Sequence, residues 1–175
     1  MTTHLVLTII GDDKPGLVER LSKVIADNSG NWLRSSMSQL AGKFAGILEV
    51  SVPDSSAEKL IADLNNLSDS LKLVVEKAGP FATPTSLRTL TLNLVGNDRP
   101  GIIRDVSRAL AGSAVNVEDL ETECAPAPMS ADILFHARAV LQVPGDADLD
   151  ALRAELERIA DDLMVDLSLT ESDGG

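Results

Sequence analysis

The chain has 175 residues, which is enough for one large domain or two small ones. Its 27 Asp and Glu residues outnumber its 15 Lys and Arg residues, and the net charge of -12 argues against direct binding to nucleic acid, which needs cations to neutralise phosphates. One Trp, three Phe and no Tyr predict an aliphatic core, and a single cysteine, Cys124, excludes an internal disulfide and favours a reducing cytoplasm.

The first half of the chain predicts the element order βαββαβ. Alternating apolar residues indicate a strand at 5–10. Apolar residues then recur at helical spacing, which indicates a helix that begins at Pro15, because proline fits the first helical turn. The remaining predicted elements are a hairpin of strands 32–40 and 44–52, a helix around 60–67 and a strand at 71–76.

A linker is predicted in the middle of the chain. Residues 79–86 contain two prolines among small polar residues, a composition that disfavours both helices and paired strands. We therefore expect a first domain at 1–79, a linker at 80–88 and a second domain at 89–172.

The second half repeats the first with an offset of 85 residues. Residues 5–31 align without a gap on residues 90–116, and nine of the twenty-seven pairs are identical. A helix, a hairpin, a second helix and a closing strand follow in the same order. The sequence thus predicts an α+β protein with two ferredoxin-like βαββαβ sandwiches, each an antiparallel four-stranded sheet with both helices on one face.

The sequence offers no convincing catalytic or metal-binding constellation. His4 and His136 are far apart, and neither recurs in the other copy. Cys124 lies near acidic residues, which raise rather than lower a thiol pKa, and the carboxylates at 118–123 fit a solvated strand edge better than a cation site. We therefore predict no enzyme, no metal and no cofactor. Signal-peptide and membrane-span patterns are also missing, so no membrane attachment is expected.

The repeated loops at 11–16 and 96–101 are candidate small-molecule sites. Each carries a strand into a helix N-terminus, where unpaired N–H groups favour an anion such as a ligand carboxylate. Asp13 and Asp98 could cap the helix or accept a ligand ammonium. The alternative stays open that the glycines serve the turn, the aspartates cap and nothing binds.

The loop sequences Gly-Asp-Asp-Lys-Pro-Gly-Leu-Val and Gly-Asn-Asp-Arg-Pro-Gly-Ile-Ile, each followed by an asparagine about fifteen residues later, resemble the opening of ACT domains. The resemblance covers both copies, and a two-copy chain most resembles the glycine cleavage system transcriptional repressor group. It implies a regulatory module that binds an amino acid where two ACT units meet, with Asn31 and Asn116 approaching from the strand after the helix. By position it implies these ligand-binding residues: Gly11, Asp12, Asp13, Lys14, Pro15, Gly16, Asn31, Gly96, Asn97, Asp98, Arg99, Pro100, Gly101 and Asn116.

The resemblance leads us to expect a cytoplasmic, non-enzymatic amino-acid sensor, with glycine among the candidate ligands. It would contact a protein such as a transcriptional activator rather than DNA, in agreement with the negative charge. The alternative is a free-standing ACT regulatory subunit of an amino-acid metabolic enzyme. A homodimer formed through exposed edge strands is also expected, and pairing of the two domains within one chain is the alternative. Because Asn97 stands in place of Asp12, and the second hairpin connection is longer, the two loops need not bind alike.

Overall fold

The computed structural model describes residues 1–79 and 86–171, which form two compact units, one within each range. The first part of the proposed linker, residues 80–85, lies outside the described residues, as does residue 172, the last residue of the expected second domain. Leu87 and Arg88, which we assigned to the linker, are the first residues of a strand. The first strand of unit 2 therefore begins two residues before the expected start of the second domain at residue 89.

Unit 1 contains two helices and four strands in the order βαββαβ. The elements are β1 (Thr2–Asp12), α1 (Leu17–Asp27), β2 (Asn31–Leu40), β3 (Lys43–Pro53), α2 (Asp54–Asn65) and β4 (Leu71–Lys77). All strand pairs are antiparallel, and the sheet order is β2-β3-β1-β4.

Unit 2 has the same order of elements and the same topology. The elements are β5 (Leu87–Asn97), α3 (Ile102–Gly112), β6 (Asn116–Pro126), β7 (Ile133–Pro144), α4 (Leu149–Leu163) and β8 (Val165–Glu171). Its antiparallel sheet has the order β6-β7-β5-β8. The predicted fold class, two ferredoxin-like βαββαβ sandwiches, is confirmed.

An aliphatic layer between the sheet and the helices forms the core of each unit. In β1, Leu5, Leu7 and Ile9 are buried against α1 and α2, whereas the residues between them lie on the other face of the sheet. That other face stays open, and Ile47 and Val74 are 52% and 58% exposed. Unit 2 buries the corresponding leucines of β5 against α3 and α4. The sequence periodicities thus identified the core correctly.

The predicted start of the first helix at Pro15 is wrong. Pro15 and Gly16 form a turn, and α1 begins at Leu17. Gly16 has a φ of +89° and Gly101, its counterpart before α3, has a φ of +97°. A right-handed helix needs a negative φ, so the helix begins only after the glycine.

Replacement of Gly16 by alanine should destabilise unit 1 by about 1 kcal/mol, because a Cβ disfavours the left-handed conformation. An added Cβ would meet no atom within 4 Å at Gly16, so backbone strain is the only expected effect. Gly79→Ala is the matched control, since its Cβ also meets no atom and its φ is not positive. Urea unfolding followed by the fluorescence of Trp32, the single tryptophan, measures both. Equal midpoints for the two variants would contradict the prediction.

Candidate functional site at the strand–helix loops

The first glycine of each loop is required by packing. A Cβ at Gly11 would lie 2.6 Å from the backbone oxygen of Ser70 and 2.8 Å from Leu71 Cδ2, where β4 begins beside the end of β1. In unit 2, a Cβ at Gly96 would collide with Val165, the first residue of β8. The two glycines therefore permit the first and last strands of each unit to approach closely.

The loop aspartates do not cap the helices. Neither α1 nor α3 has a side-chain cap at its N-terminus. The Asp13 N–H instead donates to the Gly42 carbonyl at 3.0 Å, and the Asp98 N–H donates to the Ile133 carbonyl at 3.0 Å. These bonds tie each loop to the neighbouring hairpin. They leave both carboxylates exposed, and the part of the open alternative in which the aspartates cap is excluded.

An ion pair distinguishes the unit 1 loop from its counterpart. Asp12 lies opposite Lys43 in the β1–β3 register, and the Lys43 ammonium donates to the Asp12 carboxylate. This hydrogen bond, followed by the charge of Lys43, lowers the pKa of Asp12. In unit 2 the same register positions hold Asn97 and Leu134, so no such pair forms there.

The two asparagines do not lie near the loop of their own unit. Ser51 pairs with His4 on one side and with Asn31 on the other, so Asn31 is level with His4 in the sheet. His4 precedes Gly11 by seven residues along β1, a separation of about 23 Å at strand spacing. Asn116 has the equivalent place in unit 2. Within one unit, the loop and the asparagine therefore cannot contact the same small ligand.

A pocket of about 270 Å³ opens beside the unit 1 loop. It lies where β1 ends, β4 begins and the turn 66–70 joins α2 to β4. Arg20 of α1 donates to the Ser70 hydroxyl at 2.8 Å and so holds this turn against the helix. We call it the unit 1 pocket; its lining residues are Ile10, Gly11, Asp12, Lys43, Ser68, Asp69, Ser70, Leu71 and Lys72.

Sequence reasoning found only part of this pocket. Gly11 and Asp12 were identified because their loop recurs in the second copy. The turn that carries Ser68, Asp69 and Ser70 was missed, because it has no counterpart in the repeat. Ser, Asn and Asp are common in turns, but nothing in the sequence shows that this segment folds back beside the loop.

A larger cavity, of about 520 Å³, lies in unit 2 between α3 and α4. None of the sequence-predicted site residues lines it. On its α4 side, Arg158 donates to Glu155 at 2.7 Å and to Asp162 at 3.0 Å. This cavity is a groove between two helices whose α4 charges are paired with each other.

Cys124 lies beside the loop of unit 2. The residue is exposed, but neighbouring atoms displace part of the water around its sulfur. This desolvation raises the pKa of the thiol, and the charge of Asp98 and a hydrogen bond to Asp98 raise it further. The thiol is thus held in its protonated, poorly nucleophilic form.

The described part of the chain shows no group of three His, Cys, Asp or Glu side chains that could hold a metal ion. His4 Nδ1 lies 3.0 Å from Glu49 Oε1 in unit 1, and His136 lies in β7 of unit 2. Within residues 1–79 and 86–171, no helix is both long enough and apolar enough to cross a bilayer.

Comparisons with known proteins agree with the fold of both units. A model of the ACT domain family matches residues 3–77 and 88–170. A UPF0237 protein of Methanococcus maripaludis is 29% identical over 76 residues, which are 43% of this chain and 79% of that protein. The crystal structure of an unknown protein from Galdieria sulphuraria superposes with a TM-score of 0.89 at 26% identity, over 99% of this chain and 100% of that one. A candidate glycine cleavage system transcriptional repressor superposes with a TM-score of 0.70 at 19% identity, over 99% of both chains. At this identity the similarity is one of fold.

Replacement of Asp98 by asparagine should lower the pKa of Cys124, because it removes a negative charge that disfavours the thiolate. The rate of alkylation by iodoacetamide, measured against pH, should then reach half its maximum at a lower pH. Asp13→Asn is the matched control, since Asp13 is the equivalent aspartate in unit 1 and the single cysteine lies in unit 2. An unchanged profile for Asp98→Asn would show that Asp98 does not act on the thiol.

Proposed function

The chain belongs to the ACT domain family, and on that premise we propose that it is a non-enzymatic regulatory protein that binds an amino acid and acts by contact with a protein partner. The match of the family model to both units carries this proposal. The structural likeness to a candidate transcriptional repressor supports the regulatory role, and the raised pKa of the Cys124 thiol suits a residue without a nucleophilic function.

The loops at 11–16 and 96–101 are proposed as the ligand ends of the two units. Each offers helix N–H groups without a side-chain cap, which suit a carboxylate, and an exposed aspartate, which suits an ammonium. These are the two charged groups of an α-amino acid. Asn31 and Asn116 lie too far from their own loops, so they would contribute only to a ligand held by another ACT unit.

The partner is proposed to be a protein rather than DNA, because a net charge of -12 opposes contact with phosphates. A transcriptional activator in the cytoplasm is the leading partner class, because the resemblance to the glycine cleavage system transcriptional repressor group implies one. The alternative partner is an enzyme of amino-acid metabolism. A pull-down from the native lysate, with and without bound amino acid, separates the two: the captured protein is a transcription factor in the first case and a biosynthetic enzyme in the second.

A selective rise in thermal stability with an amino acid is the first expected result. A ligand that binds only the folded state adds about 2.7 kcal/mol at a hundredfold excess over its dissociation constant, so a true effector should raise Tm clearly at millimolar concentration. The panel should contain the common amino acids, glycine and serine included. The N-acetyl and methyl ester derivatives serve as controls, because each lacks one of the two charges. A flat response to the whole panel would contradict the proposal.

A homodimer is proposed as the assembly. β2 and β6 are edge strands with mostly exposed residues, and such edges commonly pair with a second chain. Light scattering over a range of concentrations should give twice the chain mass of 18.5 kDa. A mass of 18.5 kDa at every concentration would instead identify a monomer.

A further inference from the structure

The two units carry different charges at the end of the sheet where the strand–helix loop lies. Lys72 pairs with Ile10 in β1, and the same register position in unit 2, opposite Val95, is held by Asp166. Lys43 is likewise replaced by Leu134. Both cations of the unit 1 pocket are therefore lost in unit 2, one of them to a residue of opposite charge.

The backbone around the pocket differs as well. In unit 1 the turn 66–70 separates α2 from β4 and carries Ser68 and Asp69 into the pocket. In unit 2, α4 continues to Leu163, and Met164 alone, at a φ of +54°, connects it to β8. The second unit thus has no segment that could take the place of the turn.

We propose that the unit 1 pocket binds the zwitterion of an α-amino acid with a short side chain, and that unit 2 does not offer this site. The inference rests on the proposed function and narrows it to the loop end of unit 1, where Lys72 and Asp69 replace the helix N–H groups and the loop aspartate as the charged partners of the ligand. The Lys72 ammonium pairs with the ligand carboxylate, and the Asp69 carboxylate pairs with the ligand ammonium. Among the described residues, neither side chain has a hydrogen-bond or ion-pair partner, so both are available to a ligand. Lys43 and Asp12 are paired with each other and form a polar wall of the pocket.

The size and lining of the pocket restrict the ligand. A volume of 270 Å³ corresponds to about nine water molecules at roughly 30 Å³ each, which suits a small metabolite and not a large cofactor. Ile10, which is 44% exposed, gives the pocket one apolar wall. The Ser68 hydroxyl adds a neutral donor and acceptor. Glycine, alanine and serine fit this combination.

Calorimetric titration of the full chain with glycine, alanine and serine tests the inference. Lys72→Gln and Asp69→Asn should each weaken binding by about tenfold or more, because each removes one charge-assisted contact. Both side chains are exposed and unpartnered, so the variants should keep the wild-type Tm. Asp166→Asn, at the register position of Lys72 in unit 2, is the matched control and should bind as the wild type does. Propionate and ethylamine, which carry one charge of alanine each, should bind far more weakly than alanine.

Three results would overturn the inference, and they are distinguishable from failure of the proposed function. Wild-type affinity in both unit 1 variants would remove the pocket from the site. Loss of binding in Asp166→Asn would give unit 2 an equal or greater part. Propionate or ethylamine binding as tightly as alanine would show that the zwitterion is not recognised. In all three cases the protein still binds an amino acid, whereas a wild-type chain that binds none of them contradicts the proposed function itself.

Discussion

Each unit depends on one aliphatic layer between a four-stranded sheet and two helices. Leu5, Leu7, Leu21 and Leu60 are fully buried in unit 1, and Leu90, Leu141 and Leu156 are fully buried in unit 2. Removal of such a leucine typically costs 2–5 kcal/mol, a large part of the stability of a small domain. The layer therefore fixes the order and the register of the elements. Polar and charged side chains that could bind a ligand are confined to the strand–helix loops, the neighbouring turns and the open face of the sheet. Substitutions there do not remove packing from the core.

The two units share this layer but differ around it. In unit 1, the buried side chain of Asn28 bridges the helices: its amide donates to Asp63 at 2.9 Å and its oxygen accepts from Lys59 at 2.9 Å. Hydrogen bonds from Lys59 and then Asn28 lower the pKa of Asp63. In unit 2, Ser113 holds the aligned position and lines the groove between α3 and α4. The same fold thus closes its helix pair with a polar network in one copy and leaves a cavity in the other.

The fold was predictable because its determinants are periodic and repeated. Strand alternation in β1 and β5 and helical spacing in the four helices identify the buried faces of these elements, and the repeat gives each element a second instance. The first residue of α1 was not predicted correctly, because it depends on the positive φ of Gly16 rather than on the apolar pattern. The positions of Asn31 and Asn116 follow from register: a helix that leaves the loop end returns the chain to the opposite end of the sheet. The family resemblance names the loop residues and the asparagines together, but it does not show that they lie at opposite ends of the sheet within one unit.

The unit 1 pocket was not predictable in the same way, because it is the part of the structure that does not repeat. Replacement of a lysine by leucine at an exposed strand end, as between Lys43 and Leu134, leaves the core intact and has a small effect on stability. A repeated fold can therefore keep its core and vary its loop-end charges independently in each copy. A ligand that binds one such end shifts the protein between arrangements only by the difference in its affinity for them. Because Arg20 links the turn 66–70 to α1, a ligand in the unit 1 pocket would contact a segment that is bonded to the helix layer as well as the strand ends.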